Sequence, residues 1–308
     1  MSSHAIHQNR IAGVDFTGAI FTNITHDHLD YHKTFEEYLK AKKKFFDDLP
    51  ENAFALVNKD DKNGLVMQQN TVANKFSYAL KSMSDYSCKV VENDFSGMLL
   101  NIDGSEVWTK LIGNFNAYNL LAIYSTAVLL GQEKLSVLTA ISNLTSVDGR
   151  FQYIKSANNV AGIVDYAHTP DALKNVLKTI NEIRTGNEQL ITLIGCGGDR
   201  DKEKRPIMAQ IACELSDKII LTSDNPRTEN PEEIIKDMRQ GVDGVHFKKV
   251  LAITTREEAI RTACSLANEG DVILIAGKGH EKYQEINGEK HPFDDLKILR
   301  ETFEILKN

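Results

Sequence analysis

The chain has 308 residues, which is enough for two domains that each bury a hydrophobic core. Its formal net charge of -7 argues against nucleic acid as the main partner, because there is no excess of basic residues to neutralise phosphates. The first residues lack an apolar signal region and no run approaches about 18 apolar residues, so we expect a cytoplasmic protein that is neither secreted nor inserted in a membrane.

A loop rich in histidine and aspartate lies near the start of the chain. It spans 25–32 and follows a predicted strand over 19–24. Such a loop is a candidate metal or phosphate site, and a solvated polar turn is an equally good interpretation. Thr34, with Glu37 three residues on, then predicts a helix that begins with a capping box.

Lys42 is set apart from the other lysines of this helix. Helical spacing places it on the apolar stripe, whereas Lys40, Lys43 and Lys44 are predicted to point mostly away. A lysine that faces inward loses hydration, which favours the neutral, nucleophilic amine. Such an amine can add carbon dioxide, and the resulting carbamate is an oxygen ligand for a hard cation such as Mg²⁺. The alternative is that the ammonium of Lys42 reaches water along the apolar surface.

The rest of the first half predicts short strands and then two helices. The strands fall within 53–111, with a hairpin at Asp103-Gly104. The helices are predicted over 114–130 and 134–144.

A domain boundary is predicted at 147–150, which divides the chain into 1–148 and 149–308. In the second domain, β-branched runs alternate with helix signals. The predicted strands are 160–164, 190–194, 218–223 and 271–276. This alternation predicts an α/β fold built on a parallel sheet.

Three helix starts in the second domain can be read from the sequence. Thr169 and Asn230 each precede a proline, which predicts an N-cap followed by proline at the first helical position. Thr255 with Glu258 predicts a capping box.

Each predicted strand of the second domain ends in a polar cluster. The clusters are 165–168, 195–201, 224–227 and 277–281. A single glycine-rich turn such as 195–198 is more often plain turn geometry than a binding site. The carboxyl ends of parallel strands meet at one edge of a sheet, however, so all four clusters are predicted to converge on one crevice that can bind an anion.

Together these motifs resemble those of the Mur ligases. The segments that carry the resemblance follow one another along the chain: 25–32, 113–116 with Asn119, 148–150, 165–171, 195–201, 224–227 and 277–281. The resemblance implies a partial central ATPase domain over 1–148. It implies a Rossmann-like, doubly wound C-terminal domain over 149–308.

The resemblance also implies an activity. Mur ligases form a peptide bond in the peptidoglycan precursor: ATP phosphorylates a terminal carboxylate, and the amine of the incoming amino acid attacks the acyl phosphate. ATP and Mg²⁺ are the implied cofactors, and the metal and cationic side chains would offset the charge where ATP meets the carboxylate. The pattern is most similar to members that add meso-diaminopimelate to UDP-MurNAc-L-Ala-D-Glu. We expect a monomer.

Roles at the nucleotide and metal sites follow from the resemblance. Magnesium would be held by His28 and a carbamylated Lys42, which with His168 would form the catalytic set. The UDP-sugar would be contacted by Ser2, Gln8 and Arg10. The adenine would be contacted by Asn116 and Asn119. The ATP ribose and phosphates would be contacted by Arg150, Asp165 and His168.

A second group of residues would hold the amino-acid substrate. They are Arg200, Asp224, Asn225, Arg227, Gly277 and Glu281. The distal end of meso-diaminopimelate carries a carboxylate and an ammonium, so it needs a donor fork, supplied by Arg227, and an acceptor, supplied by Glu281. Relatives that add lysine lack the arginine. The alternative is that Arg227 only closes an ion pair beside a turn.

One departure from the family pattern stands out. Family members carry a nucleotide-recognition domain and a phosphate-binding loop before the segment that resembles Ser2-Ser3-His4, but the 308 residues contain no Gly-x-x-x-x-Gly-Lys-Ser/Thr. We therefore expect the rear portion of a ligase, without appreciable activity by itself. The alternatives are another Mur-type ligase, such as a folylpolyglutamate or cyanophycin synthetase, and a non-catalytic amino-acid-binding module.

Overall fold

The computed structural model describes residues 1–24 and 29–306, without the side chains of Leu29 and Asp30. The chain divides into two compact units, Met1–Thr145 and Ser146–Asn308. No helix in the described part of the chain is long and apolar enough to cross a membrane.

The first unit is built on a six-stranded sheet. Its strands are β1 (Gly18–Phe21), β2 (Phe54–Asn58), β3 (Asn74–Ala79), β4 (Tyr86–Asp94), β5 (Gly97–Ile102) and β6 (Ser105–Thr109). They lie side by side in chain order, with β1 to β4 parallel and β4 to β6 antiparallel. The predicted hairpin at Asp103-Gly104 is confirmed as the connection between β5 and β6.

Helices cover both faces of this sheet. They are α1 (Ser3–His7), α2 (Leu29–His32), α3 (Phe35–Asp47), α4 (Gly64–Met67), α5 (Asn114–Leu129) and α6 (Lys134–Ser142). The alternation of side chains along β2 separates two cores: Leu56 packs in the core formed with α5 and α6, whereas Ala55 and Val57 pack in the core formed with α3. The predicted helices over 114–130 and 134–144 are confirmed.

Thr34 caps α3 as the sequence predicts. Its Oγ1 accepts a hydrogen bond from the backbone N of Glu37 at 3.2 Å. The reciprocal half of the capping box is absent from the described contacts, because the Glu37 carboxylate turns towards Lys40 and the backbone N of Thr34 donates to the carbonyl oxygen of His32.

The second unit is a doubly wound α/β domain. Its strands are β7 (Gln152–Lys155), β8 (Ala161–Asp165), β9 (Leu190–Cys196), β10 (Lys218–Ser223), β11 (Val250–Ala252), β12 (Val272–Ala276), β13 (Tyr283–Ile286) and β14 (Glu289–Pro292). The main sheet has the order β11-β10-β9-β12-β8-β7, all parallel except β7, and β13 and β14 form a separate hairpin. The predicted parallel sheet is confirmed.

Its helices alternate with the strands. They are α7 (Pro170–Ile183), α8 (Lys204–Leu215), α9 (Pro231–Arg239), α10 (Arg256–Leu266) and α11 (Asp295–Ile305), with a short 3-10 turn at Phe247–Lys249. Helices α7 to α9 pack in sequence with one another, while α10 and α11 pack together on the apolar residues of the opposite face. Because β12 returns between β8 and β9, the connections diverge at its carboxyl end, which is where open α/β sheets bind ligands.

Two of the three predicted caps in this unit are confirmed. Thr169 accepts from the backbone N of Ala172 and Asn230 from that of Glu232, each ahead of a proline at the helix start. The capping box predicted at Thr255 is wrong: the residue occupies the N-cap of α10, but its side chain accepts no hydrogen bond from the first turn.

Candidate active site

The loops that follow the central strands of the second unit are joined by backbone hydrogen bonds. The backbone N of Gly277, after β12, donates to the carbonyl oxygen of Asp165, at the end of β8, at 3.0 Å. The backbone N of Gly198, after β9, donates to the carbonyl oxygen of Asn225, after β10, at 2.9 Å. The four polar clusters therefore converge at one edge of the sheet, as the sequence predicts.

Gly277 allows the closest approach in this region. Its φ is +118°, which disfavours other residues, and a Cβ there would lie 2.5 Å from Oδ2 of Asp224. The missing side chain thus lets the Asp224 carboxylate pack directly on the backbone of the 277–281 loop. This gives Gly277 a definite geometric role among the predicted substrate residues.

A buried lysine organises the same loop. The side chain of Lys278 is fully buried, and its Nζ donates to Oδ1 of Asn225 at 2.8 Å and to Oε2 of Glu281 at 3.2 Å. Oδ1 of Asn225 also accepts from the backbone N of Glu285 at 2.9 Å, and its Nδ2 donates to Oε2 of Glu281 at 2.8 Å. The orientation of the Asn225 amide is therefore set by its partners, and among the described contacts Oε1 of Glu281 stays uncommitted.

Lys278 was not among the predicted site residues. Its place inside the 277–281 cluster was visible in the sequence, but lysines are rarely buried unless paired, and the pairing partners come from another loop. The signal that could have found it is the pair of flanking glycines, both of which have positive φ and bring the backbone close to its neighbours.

Arg227 is held on two sides. Its Nη1 donates to the carbonyl oxygen of Gly198 at 2.8 Å, and its Nε lies 3.2 Å from Oε2 of Glu285. Its backbone, at φ +51°, is hydrogen bonded to Glu285 of β13 and to Asn287 directly after that strand. The ion pair considered as the alternative is thus present. The expected open fork is reduced to Nη2, since Nη1 and Nε of Arg227 already have partners and Nη2 has none among the described contacts.

Arg200 extends from the 195–201 loop as an exposed side chain. A Cβ built on Gly197 would lie 2.9 Å from Nη1 of Arg227 and 3.6 Å from Cγ of Arg200, so the two arginines meet beside this glycine. Arg200 makes no hydrogen bond or ion pair within the described part of the chain. Its charge is therefore available to an anionic ligand.

The loop that carries Arg200 is held in place through Glu229. The backbone N of Asp199 donates to Glu229 at 2.6 Å, and Glu229 in turn receives two hydrogen bonds from the fully buried Arg205. Arg205 also pairs with Asp237 at 2.8 Å. The hydrogen bond from Arg205, above all, lowers the pKa of Glu229 to about 2. The sequence does not reveal this network, because a buried arginine cannot be told from an exposed one by spacing.

Asp165 is buried at the end of β8. Its Oδ2 accepts from the backbone N of Phe151 at 2.7 Å, and its Oδ1 accepts from that of Ala167 at 2.8 Å. Burial raises the pKa of this carboxyl group, against the effect of the two backbone hydrogen bonds and the charge of Arg150. Each oxygen keeps a second lone pair that can accept a further hydrogen bond, so the predicted role of Asp165 among the ATP ribose and phosphate contacts is compatible with this geometry.

Arg150 and His168 both lie close to the ring of Tyr166. The guanidinium of Arg150 stands 5.2 Å from the centroid of the Tyr166 ring, and the His168 ring is 4.6 Å from it. Nδ1 of His168 is hydrogen bonded to the carbonyl oxygen of Tyr166 at 2.9 Å, while the ring itself is exposed. His280 approaches the same tyrosine at 5.3 Å. Tyr166 thus brings together Arg150 and His168, two of the three residues predicted to contact the ATP ribose and phosphates, a role that the sequence did not indicate.

The two predicted adenine contacts lie on the first turns of α5 in the first unit. Asn116 donates from Nδ2 to the carbonyl oxygen of Ile112 at 2.8 Å, and Asn119 donates to Oδ1 of Asn116 at 3.4 Å. The N-cap of the helix is Gly113, whose φ is +91°. The side chains therefore form one contiguous polar strip, with Asn119 exposed.

The predicted sugar-nucleotide contacts cluster at α1. Ser2 is the N-cap of this helix, and its Oγ accepts from the backbone N of Ala5 at 3.2 Å. Gln8 accepts from Nε of Arg10 at 2.8 Å and donates to the hydroxyl of Tyr31 at 3.1 Å. Ser2, Gln8 and Arg10 are all exposed, so they remain accessible to a ligand.

Only one of the two predicted magnesium ligands, Lys42, lies in the described part of the chain. Lys42 is half-buried on α3, with its Nζ 5.5 Å from the centroid of the Tyr38 ring. His28 lies outside the described residues. No group of three or more His, Cys, Asp or Glu side chains in the described ranges could hold a metal ion. The magnesium site at His28 and Lys42 therefore stays a prediction.

The expected contrast among the lysines of α3 holds only in part. Lys40 and Lys44 are exposed, as predicted. The prediction for Lys43 is wrong: its side chain is only 13% exposed and pairs with Asp47 one turn on, because the aliphatic stem packs along the helix surface while the ammonium reaches the carboxylate.

Comparison with known proteins bears on both units. The family model described as "Mur ligase middle domain" matches residues 1–127, and the one described as "Mur ligase, glutamate ligase domain" matches residues 149–279. The chain belongs to the Mur ligase family. The resemblance inferred from the motifs is thereby confirmed.

Individual Mur ligases are similar along nearly the whole chain. It is 59% identical over 303 residues to the UDP-N-acetylmuramoyl-L-alanyl-D-glutamate–2,6-diaminopimelate ligase of Bacteroides thetaiotaomicron, covering 98% of this chain and 63% of that protein. It is 56% identical over 306 residues to the enzyme of the same name from Cytophaga hutchinsonii, covering 99% and 63%. The chain thus spans about 63% of the length of these relatives.

Solved Mur ligase structures share the fold. A structure of a UDP-N-acetylmuramoyl-L-alanyl-D-glutamate–2,6-diaminopimelate ligase superposes with a TM-score of 0.69 at 38% identity, covering 100% of this chain and 64% of that one. A folylpolyglutamate synthase of Thermotoga maritima superposes with a TM-score of 0.64 at 15% identity, covering 85% and 57%. At that identity the second likeness concerns the fold alone.

Proposed function

We propose that this chain supplies the amino-acid site and part of the nucleotide site of an ATP-dependent ligase that joins meso-diaminopimelate to UDP-MurNAc-L-Ala-D-Glu. The observation that carries the proposal is the arrangement of two uncommitted groups, Nη2 of Arg227 and Oε1 of Glu281, on loops linked through Asn225. The names of the similar proteins support the same substrate class.

The distal end of meso-diaminopimelate matches this arrangement. Its carboxylate can accept from Nη2 of Arg227 and from the exposed guanidinium of Arg200, and its ammonium can donate to Oε1 of Glu281. Lysine has the ammonium but no distal carboxylate, so it leaves Arg227 without a ligand partner. A hydrogen bond between charged groups is worth about 1.5–3 kcal/mol, which corresponds to a preference of roughly 10- to 100-fold.

The proposed nucleotide is ATP, with contacts in each unit taken separately. In the second unit, Arg150 and the exposed ring of His168 would offset negative charge on the phosphates, and Asp165 would accept from a ribose hydroxyl. In the first unit, Asn116 and Asn119 would meet the adenine. A magnesium ion bound by His28 and Lys42 remains a prediction.

The chemistry proposed is acyl transfer through a phosphorylated carboxylate. The ammonium of the substrate must lose a proton before its nitrogen attacks the acyl carbon, and the departing phosphate takes the electrons of the broken C–O bond. Cationic side chains near the phosphates stabilise the charge that develops in this step. Since both ATP and the nucleotide-linked substrate are cytoplasmic metabolites, we propose a cytoplasmic location. We also propose that the protein is a monomer.

Titration calorimetry tests the amino-acid site directly. The chain is titrated with meso-diaminopimelate and with L-lysine, first as wild type and then as Arg227→Ala. We expect the wild type to prefer meso-diaminopimelate and the variant to lose most of that preference. Arg261→Ala is the matched control, because Arg261 is an exposed arginine whose one ionic partner among the described residues is Glu257 on α10. Equal binding of the two amino acids by the wild type, or an unchanged preference in Arg227→Ala, would show that the pocket is misassigned.

A further inference from the structure

Lys278 is a buried cation placed between two carboxylates. Its Nζ lies 3.2 Å from Oε2 of Glu281 and 4.0 Å from Oδ1 of Asp224, and it stands 5.6 Å from the centroid of the Tyr283 ring. The lysine side chain is fully buried, whereas Asp224 and Glu281 are 9% and 18% exposed. Water screens these charges poorly, so the interactions among them are stronger than those of surface pairs.

The charges around the proposed amino-acid site balance. Among the charged residues proposed to contact the ligand and the charged groups paired with them, three cationic side chains stand against three carboxylates: Lys278, Arg227 and Arg200 against Asp224, Glu281 and Glu285. Arg256, buried nearby, is neutralised by Asp295 at 2.7 Å. A site of zero net charge suits a ligand end that is itself neutral overall.

We propose that Lys278 is a specificity-determining positioning residue, whose buried charge makes this site prefer the zwitterionic end of a diamino dicarboxylic acid over the lone ammonium of lysine. The inference rests on the function proposed above. It differs from the role of Arg227, because Lys278 is too deeply buried to contact the ligand and acts through Asn225 and Glu281.

Two consequences follow from removing the ammonium. The site would gain one net negative charge, which favours a cationic ligand end and disfavours one that also brings a carboxylate. The Asn225 amide would also lose its lysine donor and keep only the backbone N of Glu285 at Oδ1, so its Nδ2 would hold Glu281 less firmly. The first effect reduces the preference for meso-diaminopimelate, whereas the second weakens the contact to the ammonium that both amino acids carry.

The test compares affinities for meso-diaminopimelate and L-lysine by calorimetry in Lys278→Met. Methionine is unbranched and of similar length, so it removes the charge with little change in volume. We expect the ratio of the two affinities to fall about tenfold or more, corresponding to about 1.4 kcal/mol. Lys282→Met is the control, because Lys282 is 53% exposed and pairs with Asp294 outside the site. An unchanged ratio in Lys278→Met would overturn the proposal.

A second variant separates the charge from the hydrogen bond. Lys278→Gln removes the buried charge but keeps an N–H donor that can reach Asn225. We expect its affinity ratio to fall as in Lys278→Met, and circular dichroism checks that each protein is folded. If Lys278→Met does not fold, Lys278→Gln decides: a lowered ratio supports the proposal, and a ratio equal to that of the wild type overturns it.

The wild-type titration separates a failure of the proposed function from a failure of the inference about Lys278. If the wild type itself shows no preference for meso-diaminopimelate, the proposed function fails. If the wild type shows the preference and both Lys278 variants keep it unchanged, only the inference about Lys278 fails.

Discussion

Nη2 of Arg205 donates to Oε1 of Glu229 at 2.8 Å, and the arginine side chain is fully buried. Through this pair and the hydrogen bond from the backbone N of Asp199 to Glu229, the interior of the second unit determines where the 195–201 loop lies. Arg200, the exposed cation of that loop, therefore lies on a segment whose position is fixed by hydrogen bonds to Glu229 and Arg205.

Replacing Glu229 should destabilise the second unit. In Glu229→Gln the Arg205 guanidinium keeps Asp237 but loses its principal carboxylate, and we expect a loss of about 2 kcal/mol in the free energy of unfolding at neutral pH. Urea denaturation followed by circular dichroism measures it. The exposed Glu233→Gln, whose partner Lys236 lies one turn away on α9, is the control and should change stability by less than about 0.5 kcal/mol.

The same carboxylate predicts a dependence on pH. The pKa of Glu229 is lowered from 4.5 to about 2 in the folded protein, so its contribution is present above pH 4.5 and is lost as the pH falls from 4.5 to about 2. The stability difference between wild type and Glu229→Gln should therefore shrink in acid. A difference that stayed constant between pH 7 and pH 3 would contradict this account.

Asp60 should stabilise the first unit as Glu229 stabilises the second. Its carboxylate accepts from the hydroxyl of Tyr118 at 2.8 Å and from the backbone N of Leu80, Lys81 and Ser82 at 2.8, 2.9 and 3.0 Å. Burial opposes ionisation, but these hydrogen bonds outweigh it and lower the pKa of Asp60 to about 2. Asp60→Asn should cost about 2 kcal/mol at pH 7, because an amide presents one acceptor oxygen instead of two.

Fluorescence makes this prediction easy to check. Trp108 is the only tryptophan of the chain and lies in β6, so its emission follows unfolding of the first unit. Tyr118→Phe should cost about 1 kcal/mol, less than Asp60→Asn, since it removes one of the four donors. Because the folded pKa of Asp60 lies below the ordinary 3.8, the stabilisation should fade as the pH drops from 3.8 to about 2. The exposed Glu106→Gln on the same strand as Trp108 should leave the transition unchanged.

Gly277 should tolerate no side chain. In Gly277→Ala a Cβ would stand 2.5 Å from Oδ2 of Asp224 and the backbone would have to keep a φ of +118°. We expect at least a tenfold loss of affinity for meso-diaminopimelate, about 1.4 kcal/mol, measured by calorimetry. Gly244→Ala is the control, since nothing lies within 4 Å of its added Cβ and its φ is not in the positive region. Equal affinities for the two variants would argue against a close-packed 277–281 loop.

The second unit should fold by itself. Residues 146–308 contain a core in which buried residues from β8, β9, β10 and β12 pack with those of α10 and α11. We expect the isolated segment to unfold cooperatively on heating and to keep the preference for meso-diaminopimelate over lysine, because all the proposed amino-acid contacts lie within it. Non-cooperative melting would contradict this prediction.

Local features of the second unit could be read from the sequence. The strand predicted at 218–223 has the bounds of β10, and the caps at Thr169 and Asn230 form as predicted. These features depend on neighbours within a few residues, so the signal is complete in a short window. The convergence of the four clusters also followed, because a parallel sheet brings all carboxyl ends to one edge.

Only the tertiary structure decided which charged groups are buried and which are free. Arg227 was expected to offer its whole fork, but β13 brings Glu285 to its Nε, and the 195–201 loop brings the carbonyl oxygen of Gly198 to its Nη1. Lys278 gave no sign of burial, since its partners Asn225 and Glu281 are assembled from two loops. Burial and pairing arise from contacts between segments distant in sequence, and residue type and local spacing do not encode them.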